Sequence, residues 1–235
     1  MDKKIAIMQP YFFPYIGYFQ LINSVDEFVI YDNIQYTKKG WINRNRILVN
    51  NKDQLFTLPL QKDSDYLNVS DRKISNMWDS DRKKLLNIIQ TAYHKSPYFK
   101  ETFEIIKKCL LYAENNLFTF ILNSLNEINN YLDIKTPIIT SSTLNIDHNL
   151  KSQDKVLAIC NSQQANTYIN AIGGVNLYNK EIFKNKNINL NFIKSEKIEY
   201  KQFTENFIPW LSIIDVLMFN PKEKIKEYLN NYTLI

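Results

Sequence analysis

Asp32 ends an apolar run, Phe28 to Tyr31, and opens the most polar stretch with chemical potential in the chain, YDNIQYTKKGWINRNRI. A carboxylate at the carboxyl end of a strand can serve as a base, hold a sugar hydroxyl or bind a metal, and it can equally cap the next turn. Beyond it, Arg44 and Arg46 carry the planar guanidinium that grips phosphate with paired hydrogen bonds. Trp41 offers a face for stacking on a base or sugar, and Gln35, Lys38 and Asn43 add polar heads. A nucleotide-linked substrate would use both kinds of group. The competing reading is a solvated basic hairpin edge whose charges discourage aggregation.

A second group lies in MQPYFFPYIGYFQLI, Met8 to Ile22. Gln9, Tyr11, Tyr15 and Tyr18 bring polar tips to the end of the first apolar run, while Phe12, Ile16, Phe19 and Ile22 read as core. Gly17 is one of only four glycines and lets the helix approach a neighbour or a ligand closely. Gly173 and Gly174 offer the same freedom later in the chain. His94, in AYHKSPY, sits at a helix end, where a charged imidazole also suits the dipole, and His148 reads as an exposed loop residue. Ser141 and Ser142 end a strand, as rim groups or turn formers. Ser212 and Asp215 interrupt an apolar helix and need partners, with a core amide or Arg44 expected for Asp215.

The elements that must position these groups follow from periodicity. Lys4 to Met8 reads as a strand, Tyr15 to Val25 as a helix, and Phe28 to Tyr31 as a second strand, which is the size of a βαβ unit. Ligands of such units sit at the carboxyl ends of the strands, so Gln9–Tyr15 and Asp32–Tyr36 should share one rim. Ile47–Val49 and Gln54–Leu60 flank a turn at Asn50–Asp53, a hairpin signal. Helices follow at Asp79–Tyr93, Phe103–Tyr112 and Leu117–Leu132. TPIITSS, TYINAI and INLNFI read as strands, with Ser152 capping a helix that runs to about Gln163 and a short helix over Tyr178–Asn185. Pro209 suits the first turn of a helix through Phe219, and Pro221 opens the C-terminal helix. The alternation implies a single α/β domain over 1–235 with a mainly parallel, Rossmann-like sheet, a β-hairpin, and residues 80–132 as a helical cap.

Composition limits the function classes. A net charge of +5 admits an anionic substrate and does not demand nucleic acid. No run approaches the roughly 18 apolar residues of a membrane span, and the short run Ile5–Met8 does not make a signal peptide. Cys109 and Cys160, in apolar helices, read as buried reduced thiols, the usage expected in the cytoplasm. With two cysteines and two histidines far apart, no metal site is expected. P-loop, G-x-G-x-x-G and G-x-S-x-G patterns are absent. Rossmann-like nucleotidyltransferases place H-x-G-H after their first strand; Tyr15-Ile16-Gly17-Tyr18 occupies that place with both histidines replaced.

The stretches IAIMQPYFFPYIGYFQLI, DEFVIYDNIQYTKKGWINRNRI, TYINAIGGVNLYNKEIF and WLSIIDVLMFN together resemble the WbqC-like family of bacterial proteins. The resemblance runs nearly the length of the chain. Its N-terminal motif falls on Gln9, Pro10, Pro14, Gly17 and Tyr18, its second on Asp32, Gln35, Lys38, Trp41, Asn43 and Arg44, and its glycine pair on Gly173 and Gly174, with Tyr178 following. It implies a cytosolic enzyme of O-antigen or surface-polysaccharide biosynthesis acting on a nucleotide-linked amino sugar. N-acylation or aminoacylation of that sugar is the first reading. It needs an acyl or aminoacyl thioester donor, with an acyl carrier protein as a possible source. In this reading Asp32 or His94 is the base, Gln9, Asn43 and amides near Gly173 meet the oxyanion, and Lys38, Arg44 and Arg46 hold phosphates. ATP-dependent nucleotidyl transfer or acyl-adenylate formation is the second reading, and a non-catalytic sugar-nucleotide binding subunit the third.

Overall fold

The structure, a computed structural model, describes residues 2–235. Strand β1 (Lys4–Met8) has parallel neighbours on both sides. On one side lies β2 (Glu27–Ile30), and beyond it β5 (Ile138–Thr140). On the other lies β6 (Thr167–Ala171), then β7 (Asn189–Ser195). Antiparallel β8 (Tyr232–Leu234) closes the far edge, giving the order β5-β2-β1-β6-β7-β8. The sheet reverses its winding between β1 and β6, where doubly wound sheets open a crevice.

Period-two alternation sends side chains to two cores. Ala6, Phe28, Ile30, Ile169 and Ile193 pack on one face, and Ile5, Ile7, Val29, Tyr168 and Phe192 on the other. The first face receives α1 (Ile16–Asn23), α2 (Trp78–Tyr93), α3 (Phe99–Leu110), α4 (Leu117–Leu132), α7 (Ile213–Phe219) and α8 (Lys222–Leu229). The second receives α5 (Ser152–Ser162) and α6 (Lys180–Lys184). Helices α2 to α4, expected as a cap, share the apolar core of α1, α7 and α8. Each Phe or Ile fully buried there contributes about 1.5–3 kcal/mol.

The hairpin strands β3 (Arg44–Val49) and β4 (Lys52–Thr57) form a separate antiparallel pair. Val49 pairs with Lys52, so the turn is two residues, Asn50 and Asn51, both left-handed (φ 49° and 61°). A tight turn with positive φ at both positions matches the twist of the strands, and Asn tolerates that backbone, which makes it tighter than the expected Asn50–Asp53 turn. Helix α4 is capped by Asn116, whose side chain accepts from Thr119 N–H at 3.1 Å, and ends on left-handed Asp133.

Two expectations are corrected near the termini of helices. Pro209 lies outside α7; the helix starts after Ser212, whose hydroxyl accepts from Ile214 N–H at 3.3 Å and donates to Phe13 O at 2.7 Å. A hydroxyl cap at an extended residue outcompetes a proline start. Ser152 does not cap α5 either. It is the first helical residue, at φ 49°, and the extended cap position is Lys151, which makes no side-chain cap bond. Cys109 and Cys160 are buried, and burial pushes both thiols up to about 12.

Asp215 does not pair with Arg44. It is fully buried and accepts three hydrogen bonds, from Tyr93 Oη, Tyr200 Oη and Gln202 Nε2, each at 2.7 Å. Burial raises its pKa, and the three donors oppose that rise. Tyr93 Oη also accepts from Leu48 N–H at 2.8 Å, so one phenol ties α2 to β3 and α7. Tyr93→Phe leaves Leu48 N–H and one Asp215 oxygen unpartnered in the core. A loss of about 1–3 kcal/mol is expected in a urea melt; an unchanged midpoint would refute the bridging role.

Candidate functional site

A cleft of about 840 Å³ opens at the carboxyl ends of β1, β2 and β6, at the switch point. Met8 and Gln9 come from β1 and its exit, Tyr31, Asn33 and Gln35 from the loop after β2, and Asn170, Gly173, Gly174 and Tyr178 from β6 and its exit. The fourth wall is the start of α5, with Lys151, Ser152 and Lys155, preceded by His148. Parallel pairing forces all three strand ends onto this side, and the crossover through α5 brings its N-terminus to the same edge.

The charges are one-sided. Lys151 and Lys155 line the cleft, and no Asp or Glu does among the described residues. Lys155 is 3% exposed and forms no ion pair among the described residues. Its Nζ donates to His148 O at 3.3 Å and lies 4.9 Å from the centre of the Tyr31 ring. Burial lowers its pKa, and the charge of Asp32 partly restores it. Tyr31 is pushed up to about 12, by burial and then by Tyr178, so the cleft phenols stay neutral. Tyr178 Oη accepts from Tyr168 Oη at 3.4 Å, and burial raises both.

Asp32 is buried between the cleft residues Tyr31 and Asn33. One oxygen takes Ser141 Oγ at 2.8 Å and Ser142 N–H at 2.9 Å; the other accepts no hydrogen bond among the described residues. Ser141, at the end of β5, thereby joins the rim. His148 is fixed at both nitrogens. Nδ1 faces Asn33 Nδ2 at 2.9 Å and Nε2 faces Leu144 O at 3.0 Å, which fits the Nε2–H tautomer.

Of the residues singled out by sequence, Gln9, Tyr11, Gln35, His148, Ser152, Gly173, Gly174 and Tyr178 line this cleft, with Asp32 and Ser141 at its border. The rest lie elsewhere. His94 is exposed at the end of α2, its ring on Thr91 O at 3.0 Å. Asn43 is buried, accepting from Tyr36 Oη and donating to Leu58 O, both at 2.8 Å. Lys38 pairs with Asp65 at 2.7 Å. Arg44 donates to Gly40 O and Lys39 O within its own loop. Arg46 pairs with Asp53 at 2.9 Å and stands 5.7 Å from the Trp41 ring centre.

Tyr15 and Tyr18, the pair standing where H-x-G-H would, do not line the cleft. Tyr18 is buried and donates to Gln9 O at 2.8 Å, so it holds the strand exit in place from beneath. Tyr15 stacks edge-on with Trp210 at 5.6 Å and borders a separate small pocket. Gly17 makes this possible, since a Cβ there would lie 2.2 Å from the Tyr15 hydroxyl and 2.3 Å from its ring carbon.

Sequence reasoning missed Lys155, although a signal existed. Lys155, Val156, Ile159 and Cys160 occupy one helical stripe, and all four are buried. A lysine within an apolar stripe is a charge placed under cover, which a charge count along the chain does not register.

No helix among the described residues is long and apolar enough to cross a membrane. No solved structure matches the chain. An uncharacterized protein of Mycobacterium tuberculosis is 30% identical over 233 residues, covering 97% of each chain. The WbqC-like protein family matches residues 9–227, and those residues hold nearly every wall of the cleft, from Gln9 through α5 to Tyr178. The chain belongs to the WbqC-like protein family.

Proposed function

We propose that the protein is a transferase of surface-polysaccharide biosynthesis that acylates or aminoacylates the amine of a nucleotide-linked amino-deoxy sugar. One observation carries the reading. The switch-point cleft is lined by two lysines, several phenols and amides and, among the described residues, no carboxylate beyond Asp32 at its border, a lining that suits an anionic, hydroxyl-rich ligand of nucleotide-sugar size.

The reaction forms a C–N bond from the sugar amine to the acyl carbon and breaks the C–S bond of a thioester, the sulfur leaving as thiolate. Gln9 and the backbone N–H groups at Gly173 and Gly174 are the donors for the developing oxyanion, and the proton shed by the amine passes to Asp32. Ser141 and Ser142 fix the Asp32 carboxylate, which leaves its second oxygen for that proton. His94 and the Arg44–Arg46 run have no part in this scheme, because they lie outside the cleft and are occupied by local partners.

The purified protein is expected to add acyl mass to a nucleoside-diphosphate 4-amino-4,6-dideoxy sugar supplied with acyl and aminoacyl thioesters, free or carrier-bound. No mass gain with any donor would sink the transfer reading, and ATP-dependent pyrophosphate exchange would replace it with adenylation. Asp32→Asn is expected to lower kcat by roughly 100-fold or more with KM little changed.

The glycine pair gives an internal contrast. A Cβ at Gly173 meets nothing within 4 Å, whereas one at Gly174 falls 2.3 Å from Asn170 Nδ2. Gly174→Ala is therefore expected to displace the Asn170 amide and lower the melting temperature, while Gly173→Ala leaves the melting temperature unchanged, since open space imposes no repacking cost. Equal melting temperatures for the two variants would refute the close approach of Asn170 to Gly174.

A further inference from the structure

Lys155 poses a physical problem that the fold does not solve. Lysines are almost never this buried without a paired charge, because desolvating an ammonium costs several kcal/mol. Among the described residues its one hydrogen bond is a 3.3 Å contact with a carbonyl, which leaves two of the three ammonium protons without a hydrogen-bond acceptor. Asp32 is near enough to favour the charge yet makes no ion pair with it.

A second shortage lies one turn away. The N–H groups of Ser152, Gln153 and Asp154, at the start of the 11-residue helix α5, donate to no acceptor among the described residues. Lys151 and Ser152 themselves line the cleft beside Lys155. The left-handed backbone at Ser152 followed by helical residues is the arrangement that turns successive N–H groups into an anion cradle. Unpaired helix-terminal donors and an unpaired buried ammonium on one wall lack the same thing, a multidentate anion.

We propose that Lys155 and the first turn of α5 form a phosphate subsite that takes the diphosphate of the substrate. The assignment rests on the reading of the cleft as the substrate site and replaces Lys38, Arg44 and Arg46 as the phosphate-holding groups. The nucleoside then leads out along the wall bearing Tyr178 or Gln35, and the sugar lies toward Gln9 and Gly173.

Isothermal titration of the protein tests this without turnover. The probes are thymidine diphosphate, inorganic pyrophosphate, coenzyme A and thymidine. Thymidine diphosphate and pyrophosphate are expected to bind, thymidine at least tenfold more weakly. Lys155→Met is expected to weaken both phosphate ligands by roughly tenfold to a hundredfold, the worth of one or two charge-assisted hydrogen bonds. Binding of coenzyme A with loss in the variant, and no binding of thymidine diphosphate, would assign the same subsite to the acyl donor and overturn its assignment to the diphosphate. Because removing an unpaired buried charge relieves a desolvation cost, Lys155→Met is also expected to melt at or above the wild-type temperature. Thymidine binding as tightly as its diphosphate, or unchanged affinities in a folded Lys155→Met protein, would overturn the subsite. Diphosphate binding without acyl transfer would leave the subsite standing and remove only the transferase reading.

Discussion

Parallel pairing on both sides of β1 is the constraint on which the rest of the molecule depends. A strand in that position must be apolar on both faces, and Ile5, Ala6 and Ile7 are buried accordingly. Each parallel neighbour must be reached by a crossover, so α1 packs on one face while α5 and α6 pack on the other. The two sets of connections diverge above the end of β1, and the gap between them is the cleft. Gln9, the first residue past β1, lines it for this reason.

A second fixed point lies below the cleft and outside its chemistry. Asp215 would be an alarming residue in isolation, a carboxylate buried among apolar side chains. Its three donors come from α2 and the 200–202 segment, and through Tyr93 it reaches β3. A half-satisfied group at this position costs more than an apolar replacement, so the network holds the hairpin, α2 and α7 in one mutual arrangement. That accounts for a shifted carboxylate far from the substrate. Lys155 differs in lying on the wall of a cleft, where a shifted group is a candidate for function.

Most of the fold was legible because the apolar pattern alone specifies it. Strands β1, β2 and β6 and helices α1, α2 and α4 follow from runs and stripes in which tertiary context agrees with local preference. Strand β8 was invisible: Tyr232–Leu234 is three residues long and half exposed, and only its pairing with β7 makes it a strand. The site divided along the same line. Gln9, Tyr11 and the glycine pair could be placed, since strand ends in a βαβ unit have a known destination. The basic run could not, because guanidinium and ammonium groups can be consumed locally, and whether they are depends on where the hairpin carries them.

That contrast between two sets of cations decides where an anion belongs. Arg44 donates back to its own loop, Arg46 faces Asp53 and Lys38 faces Asp65, and each remains near solvent, where an ion pair is worth at most about 1 kcal/mol. Such groups are screened and already partnered, so a phosphate arriving there would have to displace a carboxylate or, at Arg44, backbone carbonyls. Lys155 is the opposite case. Its side chain is almost wholly buried and, among the described residues, has no carboxylate within ion-pairing distance and stands beside three backbone N–H groups without acceptors. In a low-dielectric pocket the field of one such ammonium exceeds that of several solvated ones, since the same Coulomb interaction grows severalfold as the effective dielectric falls. The chain's most conspicuous positive charge is therefore not its most effective one. Lys155, on the covered stripe of α5, and Lys151 beside it give the cleft its positive charge, while the arginines of the hairpin are held by local partners.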